Sequence, residues 1–288
     1  MDSSSSDTIP TNPLPKLADK RLRRFSARFT KVLKDDHPDA IHDARVWSRR
    51  LQEVLKVTFP KPRSGKQRKL IRTLRKVRRQ LGNCRNIDVN IDLITQGLNE
   101  ASEPSTREAW EQFRSYLQEA REGEIRRARK KLSPYKVAEF VALSHACFDR
   151  VRPQLESGNH HARLDDSLQQ ARRRWTETLA VTKTNRSPDQ LHALRIAAKN
   201  LRYRAELLAE FEDAPAKALV KKMKKLQQGL GSWHDRHVLF QSVAEFIGRP
   251  DFLLSHPETA RSLLNEMARE RNRETAAVEE ILKQAEKI

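Results

Sequence analysis

Residues 189–203 read DQLHALRIAAKNLRY, and an earlier stretch, residues 39–52, reads DAIHDARVWSRRLQ. Set 150 positions apart the two superpose: His42 falls on His192, Arg45 on Arg195, Arg49 on Lys199 and Leu51 on Leu201. A second pair follows at a shift of 149, RKLIRTLRKVRRQLGN from Arg68 and AKALVKKMKKLQQGLGS from Ala216. There Arg68 falls on Lys217, Arg72 on Lys221, Arg75 on Lys224, Leu81 on Leu230 and Gly82 on Gly231. Self-similarity at a fixed spacing is the signature of one structural unit used twice.

Both repeated stretches carry the period of an amphipathic helix, about 100° per residue. In the first, Ala44, Trp47, Leu51, Val54 and Leu55 gather on one side, and His42, Arg45, Arg49 and Gln52 on the other. In the next, Leu70, Leu74, Val77 and Leu81 form an apolar stripe opposite a column of Arg68, Arg72, Arg75 and Arg79. The second copy sets Leu219, Met223, Leu226 and Leu230 against Lys217, Lys221, Lys224 and Gln228. Like charges at i,i+4 destabilise an isolated helix, and no acidic residue between Gly65 and Asn86 relieves this column. A solvated surface helix mixes its signs. A column of one sign, recurring in both copies, points to a polyanion that supplies the missing charge.

The pattern H-x-x-R-x-x-x-[RK], followed about 25 residues on by a basic helix ending in Leu-Gly, resembles the CHAD family, named for a histidine on an α-helical domain. The resemblance spans residues 14–285 and includes both half-signatures. It implies two similar four-helix bundles related by a pseudo-twofold axis, with a basic groove between them that binds inorganic polyphosphate. On that reading His42, Arg45, Arg49, Arg50, Arg68, Arg72, Arg75 and Arg79 form one wall. His192, Arg195, Lys199, Arg202, Lys217, Lys221 and Lys224 form the other. The second copy departs from the first at Asn200, which replaces the second base of Arg49-Arg50, and at Gln228, which ends the basic column.

Composition sets bounds on this reading. Lys and Arg total 57 against 38 Asp and Glu, a net charge of +19, which favours acidic partners. Only 8 glycines, and abundant Leu, Arg, Glu, Ala and Lys, favour an all-helical chain. Cys84 and Cys147 are too few for a disulfide scaffold and point to a reducing cytoplasm, where a polyphosphate binder would meet polyphosphate granules. The first residues, MDSSSSDTIPTNPLP, lack the basic and apolar regions of a signal peptide. No run of eighteen apolar residues spans a membrane.

Taken in order, residues 1–13 read as a disordered tail, 14–152 as the first half and 159–288 as the second, with a hinge at Pro153–Gly158. Helices are expected over 14–33, 39–58, 66–81, 87–98, 106–132 and 134–151. In the second half they are expected over 162–181, 189–211, 215–230, 234–247 and 257–286. Asp39 is the expected cap of the first signature helix, and the Gly82 and Gly229–Gly231 positions are expected to end the basic helices.

Two alternatives stand beside the polyphosphate reading. A nucleic-acid binder would draw on the same phosphate contacts, but single-strand binders stack bases on exposed rings, and Trp47, Trp175 and Phe25 lie on the apolar faces. A metal-dependent helical phosphohydrolase would use His-Asp doublets, here His42-Asp43 and His234-Asp235. Those doublets are not shared between the copies: His192 precedes Ala193, and Arg85-Asn86 stands where His234-Asp235 does. No Walker-type phosphate loop is present, and Glu122-Gly123-Glu124-Ile125-Arg126 lies in a helical pattern instead of the E-x-E-x-K strand of a triphosphatase domain. The expectation is a non-catalytic binding protein that needs no metal or cofactor.

Overall fold

The structure, a computed structural model, describes residues 13–101, 103–157 and 160–288, with the side chains of 154–160 outside that description. Residues 1–12 of the expected tail, and Gly158 of the expected hinge, therefore lie outside the described residues, while Pro13 of that tail caps α1. The described chain is helical throughout: α1 Leu14–Lys34, α2 Pro38–Thr58, α3 Gly65–Gln80, α4 Gly82–Glu100, α5 Pro104–Leu132 and α6 Val137–Ser157. These are followed by α7 His160–Thr184, α8 Pro188–Ala209, α9 Ala214–Ile247, α10 Pro250–Ser255 and α11 Pro257–Ala285.

Local chemistry explains where the helices begin. Pro38 and Pro188 occupy the first turns of α2 and α8, where a missing N–H leaves no intrahelical bond unmade. Ser187 caps α8 by accepting from the Gln190 N–H. Ser64 and Gln67 cap α3 reciprocally, side chain to backbone in both directions. The cap lies two residues before the expected Asp39: Pro38 is already helical, so His37 becomes the cap and its Nδ1 accepts from the Asp39 N–H at 3.3 Å.

The glycines behave differently from expectation. Both basic helices were expected to stop at them, yet no described glycine adopts a positive φ. Only Leu81 separates α3 from α4, and α9 passes through Gly229 and Gly231 without a break. What Gly229 provides is close approach, since a Cβ there would stand 2.9 Å from Ile281 Cγ1 of α11. Pro153 likewise lies inside α6, so the helix runs on through the start of the expected hinge.

The apolar stripes pack as their period requires. Leu70, Leu74, Val77 and Leu81 are buried, as are Leu219, Met223, Leu226 and Leu230, and Trp47 is half-buried. The larger core joins α1–α3 and α6 to α7, α8, the first half of α9 and the end of α11, with Phe25, Phe29, Leu51 and Leu201 inside it. A smaller core joins α4 and α5 to the second half of α9, α10 and α11, where Phe113 meets Phe246 at 5.0 Å. Each core draws on residues from before and after position 158. Polar contacts do the same: Asn90 donates to Ser242 at 2.9 Å, and Glu53 of α2 pairs with Arg204 of α8 at 3.3 Å.

Candidate functional site

Helices α2 and α8, the two signature helices, pack directly on each other. Each presents its basic face to the other, and α4 and α9 flank the crossing. The charges that meet are Arg45 and Arg49 from α2 with Arg195 and Lys199 from α8. Burial, then the charges of Arg49, Arg85 and Arg195, pushes the Arg45 guanidinium down to about 10. Burial together with Arg195 and Arg49 brings the Lys199 ammonium down to about 6. Arg195 is also lowered by burial, with Asp235 opposing and Arg49 reinforcing the shift. Cations so placed repel one another through a medium that screens poorly.

The histidines complete the arrangement. His42 is lowered by burial and then by Arg85. His192 stands 5.3 Å from the His234 ring, and His234 is pushed down to about 3 by burial, Arg195, His192 and Lys199. Arg85 and His234 lie 149 positions apart, the same shift that relates the basic helices. In each half, then, the signature histidine faces the residue three places beyond the matching glycine, Gly82 or Gly231.

Side chains outside the two predicted walls hold this cluster in place, and of these Arg78 gave no signal in the sequence. Arg45 donates to the Arg78 carbonyl at 2.5 Å, and Arg78 in turn donates to Gln52 Oε1. The Arg45 guanidinium reaches α3 past Gly82, where a Cβ would lie 3.5 Å from its Nη1. Asp235 brings a carboxylate to Arg195, Arg85 and Lys199, and burial outweighs those cations to raise its pKa. Three enclosed nitrogens, Arg195 Nε, Arg78 Nη1 and His234 Nδ1, find no hydrogen-bond partner among the described residues. Buried polar groups left unpaired are costly, and the two guanidinium nitrogens can only donate. A group that accepts from them would relieve that cost.

The remaining predicted ligands lie around this centre in two groups. Arg68, Arg72, Arg75 and Arg79 are exposed along α3. Arg75 acts on Arg78, whereas Arg68 folds back to the Arg63 carbonyl at 2.9 Å. Arg50 and Arg202 both turn to Glu206, at 3.8 and 3.7 Å. Arg50 also lies 5.0 Å over the Trp47 ring. With Lys217 and Lys224 it lines a cleft of about 380 Å³ bounded by Glu206 and Glu210. Lys217 is paired with Glu212, and Lys221 is exposed. Arg50, Arg202 and Lys217 therefore already have carboxylates, which the Arg45–Arg49–Arg195–Lys199 cluster lacks apart from Asp235.

The His-Asp doublets do not come together as a ligand set. Asp43 is held by Arg28 at 3.1 Å and Asp235 faces the cations. Among the described residues no three His, Cys, Asp or Glu side chains converge to hold a metal ion. Cys84 and Cys147 are free and buried, and no described helix is long and apolar enough to cross a membrane.

No curated protein matches the chain. Among solved structures it is similar to the crystal structure of the CHAD domain from the plant Ricinus communis. The two share 18% sequence identity and superpose with a TM-score of 0.72, over 96% of this chain and 91% of that one. At that identity the likeness concerns the fold: the all-helical architecture is shared. The family model described as CHAD domain matches residues 16–244, which takes in both signature helices and both basic helices. The chain belongs to the CHAD domain family.

Proposed function

We propose that this protein binds inorganic polyphosphate without acting on it, and that the crossing of α2 and α8 is the centre of the binding site. The observation that carries the reading is the cluster of Arg45, Arg49, Arg195 and Lys199, four basic side chains from two helices, partly removed from water and answered by Asp235. A folded protein does not gather like charges at its centre for stability. Such a cluster is a binding free energy held in reserve, released when an anion enters. Arginine suits phosphate oxygens because its planar fork donates two hydrogen bonds at once, and lysine contributes a point charge. The exposed column of α3 extends the positive surface: Arg68 to Arg79 spans about 16 Å at 1.5 Å per residue, a length suited to a chain of phosphates more than to one.

Family membership supports the ligand, and the aromatic residues favour it over nucleic acid. Trp233, Tyr203 and Trp175 are buried and Trp47 is covered by Arg50, so among the described residues no row of open rings lines the cluster for bases to stack on. The test is charge reversal at the centre, Arg49→Glu with Arg195→Glu, titrated calorimetrically with long-chain polyphosphate. Loss of two charge-assisted contacts and gain of two repulsions weaken binding by on the order of a hundredfold or more, with the far-UV circular dichroism unchanged. Undiminished binding by a folded variant would place the site elsewhere.

A further inference from the structure

Lys199 and His234 are two half-buried basic groups of the cluster whose charged forms are disfavoured in the free protein. Both have charged neighbours on their own and on adjoining helices. Lys199 faces Arg45 and Arg49 from α2 and Asp235 from α9, with Arg195 beside it on α8. His234 faces Arg195, His192 and Lys199 from α8, with His237 one turn on along α9. Its Nδ1 is enclosed without a hydrogen-bond partner among the described residues.

We propose that Lys199 and His234 take up protons as the polyanion enters, so that binding consumes protons and the complex is held more tightly in acid than in alkali. The inference rests on the polyphosphate reading of this site. In the free protein burial, and then the surrounding cations, disfavour charge on both groups, lowering Lys199 to about 6 and His234 to about 3. A phosphate chain replaces that repulsion by attraction and offers oxygens as acceptors. The charged forms then become the favoured ones. The internal phosphates of a long chain are already ionised at neutral pH, so the protons come from solvent and go to the protein. Asp235 works in the same direction, because an anion laid beside its carboxylate favours protonation there too.

A group that gains a full proton on binding links affinity to pH with about a tenfold loss of affinity per pH unit, between its free and its bound pKa values. Across pH 7 to 8, Lys199 is largely neutral in the free protein and charged in the complex, so one such decade is expected from it. The whole chain is titrated with long-chain polyphosphate at constant ionic strength, in two buffers of different ionisation enthalpy, at pH 7 and pH 8. The expected result is an observed enthalpy that differs between buffers by an amount equivalent to about one proton or more taken up, with affinity falling about tenfold or more. Lys199→Arg, which carries its charge throughout this range, reduces both the uptake and the slope, and His234→Gln reports the share carried by the histidine.

Binding with equal enthalpies in both buffers and equal affinity at both pH values would overturn the inference and leave the polyphosphate reading standing. Uptake that persists undiminished in Lys199→Arg and in His234→Gln would overturn the assignment to these residues. Absence of binding at either pH would instead defeat the polyphosphate reading on which the inference rests.

Discussion

Lys199 stands where a lysine is hard to charge, and that has a consequence for the ligand-free fold. Its ordinary value of 10.5 falls to about 6 through burial and the charges of Arg195 and Arg49. Between those values the unfolded chain holds a proton that the folded chain has released, so stability rises with pH across the window. His234, lowered to about 3, acts in the same sense at lower pH. Cys84, raised to about 11 by burial, acts in the opposite sense above about 9, where its thiol ionises only in the unfolded chain. The melting temperature of the free protein is therefore expected to climb from pH 6 towards pH 9. In Lys199→Met this part of the climb disappears. A wild-type melting temperature that falls over the same range would mean that Lys199 is not held neutral. None of this was readable from the sequence, where Lys199 is one base among many on a polar face. Nor was the difference between Arg78, which braces Arg45 through its carbonyl, and Arg79, which is exposed. Periodicity assigns a side chain to a face, but a guanidinium on a long stem reaches across faces, and its partners come from other helices.

The helices themselves were largely legible, because their apolar stripes and proline or serine starts are local signals. The errors cluster at glycine. Gly82 and Gly231 were read alike, yet α3 and α4 part at Leu81 while α9 continues through its glycines. Sequence shows that a Cβ is missing without showing whether a turn or a neighbour requires it. The neighbour is visible only in the packed structure, at Ile281 beside Gly229; around Gly231 nothing lies within 4 Å of an added Cβ. Opposite outcomes are expected for two substitutions separated by a single residue. Gly231→Ala gains helix propensity and stabilises by up to about 1 kcal/mol. Gly229→Val forces α9 away from α11 and destabilises by about 1–3 kcal/mol, the usual penalty for overpacking. Chemical denaturation of the two variants checks both signs, and a stabilised Gly229→Val would show that the α9–α11 contact is not tight.

At the scale of the molecule the repeat in the sequence and the cores in the structure cut the chain differently. Repetition at 150 residues invites a division into halves, but Phe25 and Leu201 belong to one core, and Phe113 and Phe246 to the other. The crossing of α2 and α8 adds reciprocal ion pairs, Arg50 to Glu206 and Arg204 to Glu53. Glu53 is only 3% exposed, so that contact is part of the interior. Residues 14–157 or 160–288 expressed alone are expected to expose apolar surface and fail to melt cooperatively, whereas the whole chain unfolds in one transition. Two halves that each melt sharply on their own would refute this. The sequence did not reveal the shared cores because a stripe of leucines states that a face is buried and leaves its partner unnamed.

A net charge of +19 gives the chain affinity for many polyanions, so the central claim is one of preference. The measurement that tests it most directly is a calorimetric titration with long-chain polyphosphate at physiological salt, alone and then against an excess of duplex and single-stranded nucleic acid. The account predicts that polyphosphate binding survives the competitor almost unchanged, because the cluster at the α2–α8 crossing presents guanidinium and ammonium groups without open rings for bases. Ready displacement by nucleic acid would contradict it, and the protein would then be a general polyanion binder.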